Sequence, residues 1–209
     1  MERLICIVIG YAFGLIQTGY ICGKFQNIDI RDHGSGNAGT TNTLRTLGWK
    51  AGLITLLGDC FKCVAAVAIA KALFPGEAEN LFGIYAAFGV ILGHNYPFYL
   101  KFQGGKGIAS TAGLIISTNW IMVLTCATIF SVTVAITKYV SLGSILVMIA
   151  YIIQVVILGQ MGMFDLSGPL LYEYYAIAVI LTVMAIFRHR KNIVRLLNGT
   201  ENKLGADKK

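Results

Sequence analysis

Charge is scarce in this chain. Asp, Glu, Lys and Arg make up 13% of its 209 residues, where a soluble domain carries about 25%. That shortage argues against a soluble globular protein. Carboxylates are the rarest charges, ten in all. Asp29 and Asp32 do not make the cluster that a metal-dependent phosphotransferase needs, so no metal is expected. Of five cysteines, Cys60 and Cys63 form a CxxC with no second pair, inside an apolar run. They read as small apolar residues, with neither a disulfide framework nor a redox centre expected. There is no internal repeat and no low-complexity tract. The first apolar stretch lacks a small-residue cleavage site, so it is expected to remain as a permanent span.

Apolar residues are what the chain has most of: 56% of the whole, with a mean hydropathy of +0.70. They come in runs at 4–22, 51–73, 81–98, 108–137, 140–160 and 170–187, and a helix needs roughly 20 such residues to cross a bilayer. The 108–137 run is interrupted at Asn119-Trp120, so it makes one span or two. Charge placement decides. With seven spans and the N-terminus outside, Lys24, Arg31, Arg45, Lys50, Lys101, Lys106, Lys138 and the basic tail after Phe187 all face the cytoplasm. These are 14 of the 17 basic residues, as the positive-inside rule requires. Glu2, Glu77, Glu79, Asp165 and Glu173 then fall outside. The net charge of +7 is thus explained by orientation and by attraction for phosphates, and no nucleic-acid partner is expected. The sequence predicts an all-α, seven-span integral membrane protein, one domain over 1–209, with glycine-rich cytoplasmic loops and a cytoplasmic C-terminus. Two helices cut from 108–137 must each be short, needing tilt or a thin bilayer.

Three polar segments land on the cytoplasmic face. In the first, Gly34, Gly36 and Gly39 let the backbone approach a ligand and form an anion-binding nest. Ser35, Asn37, Thr40, Thr41 and Asn42 add neutral donors, and Arg45 adds a planar cation suited to phosphate. The GxGxxG spacing is no dinucleotide fingerprint, because no strand precedes it. In the second, Gly104, Gly105 and Gly107 surround Lys106, a point charge for phosphate at the start of a helix whose N-terminus favours anions. Gly107 stands where a Walker A loop has Ser or Thr. In the third, His189 and Asn192 share a helix face, as do Ser141 and Ser144. Asp59 and Lys62, spaced i, i+3 inside a span, are expected to pair.

GSGNAGTTNTLR at 34–45, GHNYPFYLKFQGGKGIAS at 93–110 and RHRKNIVRLLNGTEN at 188–202 resemble the three signature regions of the acyl-phosphate:glycerol-3-phosphate acyltransferase (PlsY) family. Lys138 to Ser144 and Asp59-xx-Lys62 fit the same pattern. Gln103 stands where the family commonly has lysine. The resemblance implies a bacterial inner-membrane enzyme with its site facing the cytoplasm. It would transfer a fatty acyl group from acyl-phosphate to glycerol 3-phosphate, giving 1-acyl-glycerol 3-phosphate and phosphate, the first acylation of phospholipid synthesis. No cofactor is implied, and a monomer among membrane lipids is expected. The His-x4-Asp pair of the other acyltransferase type is absent, since Ala38, Tyr99 and Val194 stand where the Asp would.

These features assign catalytic roles to Ser35, Lys106 and His189. They assign substrate binding to Gly34, Gly36, Asn37, Gly39, Thr41, Asn42, Arg45, Gly104, Gly105, Ser141 and Asn192; the roles of His189, Ser141 and Asn192 rest on the resemblance. A transporter of a phosphorylated solute would place its polar site near the bilayer midplane; here the motifs gather at one face. Ser35 has no acid–base triad in sequence, so direct transfer without an acyl-enzyme is expected. A substrate phosphate could serve as the base.

Overall fold

The computed structural model describes residues 1–205. The last four, with Lys208 and Lys209 of the basic tail, lie outside the described residues. Among the described residues every regular element is helical: α1 (Glu2–Gly14), α2 (Thr18–Lys24), α3 (Thr40–Leu47), α4 (Trp49–Leu73), α5 (Glu79–Asn95), α6 (Ile108–Thr118), α7 (Trp120–Thr137), α8 (Val140–Gln160), α9 (Gly168–Arg188) and α10 (Arg190–Leu197). Five stretches are long and apolar enough to cross a membrane: Glu2–Lys24 (α1 with α2), α4, α7, α8 and α9. α5 has 17 residues. α6 has 11, which makes it about 16 Å long, roughly half the thickness of a bilayer core.

The predicted 4–22 span is broken between α1 and α2. Gln17, fully buried, sits at the break. Its amide donates to the carbonyls of Gly14, Gly93 and His94 at 3.0, 3.3 and 3.1 Å. A helix interruption away from water needs such a partner for the carbonyls it frees. The 108–137 run divides at Asn119, as its sequence suggests. Asn119 takes an extended backbone, and its side chain accepts from the Ile121 N–H at 2.8 Å, capping α7.

α5 is the hub, with 12 of its 17 residues buried. α1 lies against it through Gly10, Gly14, Gly89 and Gly93, where an added Cβ would strike the partner's backbone. Close approach through small residues is how apolar helices associate in lipid. α6 packs on α4, with Gly113 against the Cys60 carbonyl and the Cys63 Cβ. The CxxC is thus packing surface, and all five cysteines are unpaired thiols. α7 is peripheral, burying only Met122 and Cys126. At the far ends of α1, α5 and α9, Arg3 and Tyr85 both donate to Glu173.

Candidate active site

The first polar loop links α2 to α3. Gly34 and Gly36 have φ of +61° and +71°, which glycine adopts without a steric penalty. Asn42, on the first turn of α3, organises this loop from within. Its Oδ1 accepts from the Ser35 N–H (2.7 Å) and Oγ (3.2 Å), and its Nδ2 donates to the Ile30 and His33 carbonyls (2.9 and 3.0 Å). Asn37 accepts from the Gly39 N–H. Arg31 pairs with Asp29 at 2.6 Å and donates to the Leu100 carbonyl at 3.1 Å, tying this loop to the next.

The second polar loop folds back onto the end of α5. The N–H groups of Gly104 and Gly105 donate to the Asn95 and His94 carbonyls, at 3.2 and 3.0 Å. Their own carbonyls accept from the Arg188 guanidinium at 2.9 and 2.6 Å. An added Cβ would meet the His94 carbonyl at Gly104 and the His94 ring at Gly105. These two glycines therefore serve close packing. Lys106 projects beyond them, and its ammonium donates to Asn192 Oδ1 at 2.5 Å. Burial lowers this ammonium to about 8; Arg195, Arg188 and Arg45 push the same way, and Glu201 opposes them.

The third region is α10 and the strand of chain after it. The tail returns to the bundle, its Leu204 N–H donating to the Lys138 carbonyl at 2.8 Å. This carries Glu201, 8% exposed, into the cluster. Glu201 accepts from Ser141 Oγ (3.0 Å), Asn192 Nδ2 (2.7 Å) and Arg195 Nε (2.7 Å). Burial raises its carboxyl, but the bonds from Arg195, Asn192 and Ser141 outweigh that and hold it below the usual range. His189 is buried, and its Nδ1 lies 2.8 Å from the Ala185 carbonyl. A carbonyl only accepts, so Nδ1 carries the proton and Nε2 keeps its lone pair. Burial, helped by the charge of Lys106, lowers His189 to about 4, so the ring is neutral at pH 7.

All three regions line one cavity of about 430 Å³. Ser35, Asn37, Gly39, Thr41, Asn42, Arg45, Lys106, Ser141, His189 and Asn192 stand around its polar end, as the sequence predicts them to gather. Gly34, Gly36, Gly104 and Gly105 do not line it; they shape the backbone behind. Arg45, Lys106 and Arg195 give this end three cations against the carboxylate of Glu201; the other lining carboxylate, Asp59, is paired with Lys62. From there the cavity runs into an apolar arm between α6, α7 and α8, past Ile115, Val123, Cys126, Phe130 and Met148. Sequence reasoning missed Glu201, Arg195, Asp59 and His94 as lining residues. The Asp59–Lys62 spacing was visible, but its third member, His94, lies 32 positions away on α5.

A helical bundle whose cation-rich polar pocket opens into an apolar arm defines an integral-membrane enzyme suited to joining an anionic reactant to a lipid one. Its sequence and fold place it further. The family model for glycerol-3-phosphate acyltransferase matches residues 4–199. The glycerol-3-phosphate acyltransferase of Clostridioides difficile (strain 630) is 43% identical over 209 residues, covering 98% of this chain and 97% of the relative. That of Thermoanaerobacter sp. (strain X514) is 40% identical over 206 residues, with the same coverage. The crystal structure of PlsY (YgiH), an integral membrane glycerol 3-phosphate acyltransferase, superposes in its glycerol 3-phosphate form with a TM-score of 0.84. It is 30% identical, covering 98% of this chain and 96% of that one; the lysophosphatidic acid form gives 0.82. The chain belongs to the glycerol-3-phosphate acyltransferase family and is an acyltransferase of phospholipid synthesis.

Proposed function

We propose that the chain transfers a fatty acyl group from acyl-phosphate to glycerol 3-phosphate, releasing 1-acyl-glycerol 3-phosphate and inorganic phosphate. The observation that carries this reading is the continuity of the cavity: three cations at one end, an apolar arm at the other. Both substrates carry phosphate and one carries an aliphatic chain. Lys106 and Arg45 hold the phosphates; Ser35, Asn37, Thr41, Ser141 and Asn192 supply neutral donors around them. The chain of the donor lies in the apolar arm. Holding both reactants in contact supplies much of the acceleration. Ser35 and His189 orient the reacting groups. A substrate phosphate takes the hydroxyl proton, and no acyl-enzyme forms.

The test is release of phosphate from acyl-phosphate by the detergent-purified protein. It should require glycerol 3-phosphate and yield lysophosphatidic acid. Turnover in detergent, where no compartments exist, also separates an enzyme from a transporter. Radiolabelled acyl-phosphate without acceptor should leave no label on denatured protein. Stoichiometric label that is lost in Ser35→Ala and chased by glycerol 3-phosphate would refute direct transfer.

The same reading places the protein in the bacterial inner membrane with seven spans, the N-terminus outside and the site facing the cytoplasm. Lys106, just before α6, and Ser141, just after α7, meet through Asn192 and Glu201. The α6–α7 stretch thus ends at the face where it began, which favours two passes over one. A cysteine placed in the 75–80 loop should react with an impermeant reagent from outside, and one at 200–205 should not. The reading includes a single-domain monomer that uses no cofactor; light scattering should give one chain per micelle.

A further inference from the structure

The apolar arm owes its length to a break in the chain. α6 and α7 are joined by the single residue Asn119, so the cleft between them must close where they meet. The residues that line it stop about one helical turn short of that corner, at Ile115 and Ile116 on α6 and at Val123 on α7. Behind the cleft, α8 contributes Val147 and Met148. The next residue on that face of α8 is Tyr151, which is fully buried and does not line the cavity. Gln154 Nε2 donates to Cys126 Sγ at 3.4 Å, holding α7 against α8 at this depth. The arm is therefore a wedge with a floor and a back wall.

Its depth follows from helix geometry. On α6 the lining runs from Ile108, next to the polar end, to Ile116, and on α7 from Ser131 to Val123; each is a rise of about 12 Å. An extended aliphatic chain advances about 1.2 Å per bond, so the wedge holds about ten carbons below a phosphate on Lys106. The acyl chains of membrane lipids are longer than this. The wedge has an open side. Ile116 lines it and is 50% exposed, and Ala127 on α7 lines it and is exposed too. That side leads into lipid.

We infer that the α6–α7 corner sets the acyl selectivity: the arm reads the shape of only about the first ten carbons, and the rest of the chain passes Ile116 and Ala127 into the bilayer. The inference rests on the acyl-phosphate reading above and narrows its donor class to chains that are slender near the carbonyl and free in length and branching beyond. A chain that moves from lipid into the arm gains little hydrophobic free energy, because lipid tails are as apolar as the arm. Selection is then steric. Inside the wedge a branch must displace packed side chains such as Ile115 and Met148, both buried. Outside it a branch stays among lipid tails, and added length meets no wall.

The test keeps the wild-type protein, in phosphatidylcholine vesicles, and varies the donor. 7,7-Dimethylpalmitoyl phosphate should show kcat/KM about five- to 150-fold below that of palmitoyl phosphate, whereas 14,14-dimethylpalmitoyl phosphate should match it. Lauroyl, palmitoyl and stearoyl phosphates should be used alike. A protein that turns over no acyl-phosphate would overturn the functional reading. Turnover with the same loss at both branch positions, or with none at either, would overturn this inference alone, as would a steady trend from lauroyl to stearoyl. Position can also be read without turnover, from a stearoyl-chain phosphonate bearing a photoreactive diazirine. Placed at carbon 8 it should label the protein between residues 108 and 131, and placed at carbon 16 it should label chiefly lipid. Protein labelling as strong from carbon 16 as from carbon 8 would mean that the chain is held to its end, and the proposal would fall.

Discussion

The two glycine-rich loops look alike in sequence and do different work. In the first, glycines at 34 and 36 have left-handed φ and turn the chain so that the side chains of Ser35, Asn37 and Thr41 reach the cavity. In the second, the N–H groups of Gly104 and Gly105 are consumed by the end of α5, and their carbonyls by Arg188. The first loop offers several neutral donors, the second a single cation on a locked backbone. A run of glycines is therefore not by itself an anion nest. In both loops N–H groups already have partners: Ser35, Gly36 and Gly39 donate to Asn42, His33 and Asn37, and Gly104 and Gly105 to the end of α5. The nest expected of the first loop thus gives way to its side chains.

The contrast is sharpest at Lys106. It is the second loop's one charged contribution, so Lys106→Ala should cost at least about 1.5–3 kcal/mol of binding, roughly 10- to 150-fold in kcat/KM. Ser35→Ala removes one of several neutral donors and should cost less. Steady-state kinetics on both variants would break the comparison if the order reversed.

Next in size is a pH effect. Burial lowers the Lys106 ammonium to about 8, so it is charged below that pH and neutral above it. kcat/KM, which reports the free enzyme, should fall about tenfold per unit above pH 8. Lys106→Arg should be free of this limb, since guanidinium keeps its proton. A limb that persists in Lys106→Arg would assign it to another group.

A packing test follows. Gly105→Ala drives a Cβ into the His94 ring and should destabilise the protein by about 1–3 kcal/mol. Thermal unfolding in detergent would report it, and an unshifted midpoint would mean that the loop is not locked.

Much of this was legible in the sequence because it depends on local chemistry. Apolar run lengths located the helices, the polar Asn119 marked the break before α7, and Arg45, Lys106, His189 and Asn192 stood out as polar groups beside spans. What was hidden depends on distant contacts. Glu201 is one acid in a basic tail, and only the return of that tail to Lys138 buries it. Gln17 gave no sign that it would break a span, because its partners Gly93 and His94 are on another helix. Arg188 read as an orientation anchor, yet its guanidinium fixes the backbone that carries Lys106.

The smallest effect is expected at Gly36, where conformation alone is at stake. A Cβ there would have the Arg31 carbonyl oxygen as its nearest neighbour at 3.4 Å, an ordinary contact. The left-handed backbone at φ +71° costs a side chain about 1–2 kcal/mol. Asn tolerates that region better, because its short amide bonds locally. Gly36→Asn should therefore lie within about 1 kcal/mol of the parent and Gly36→Ala somewhat further below it. Neither should change KM for glycerol 3-phosphate by much, since Gly36 does not line the cavity. Unfolding midpoints and KM for the pair test this together. If Gly36→Asn stays folded but raises KM as far as Lys106→Ala does, the backbone of the first loop contacts the substrate directly. The division between a loop that works through side chains and one that works through a single lysine would then fall.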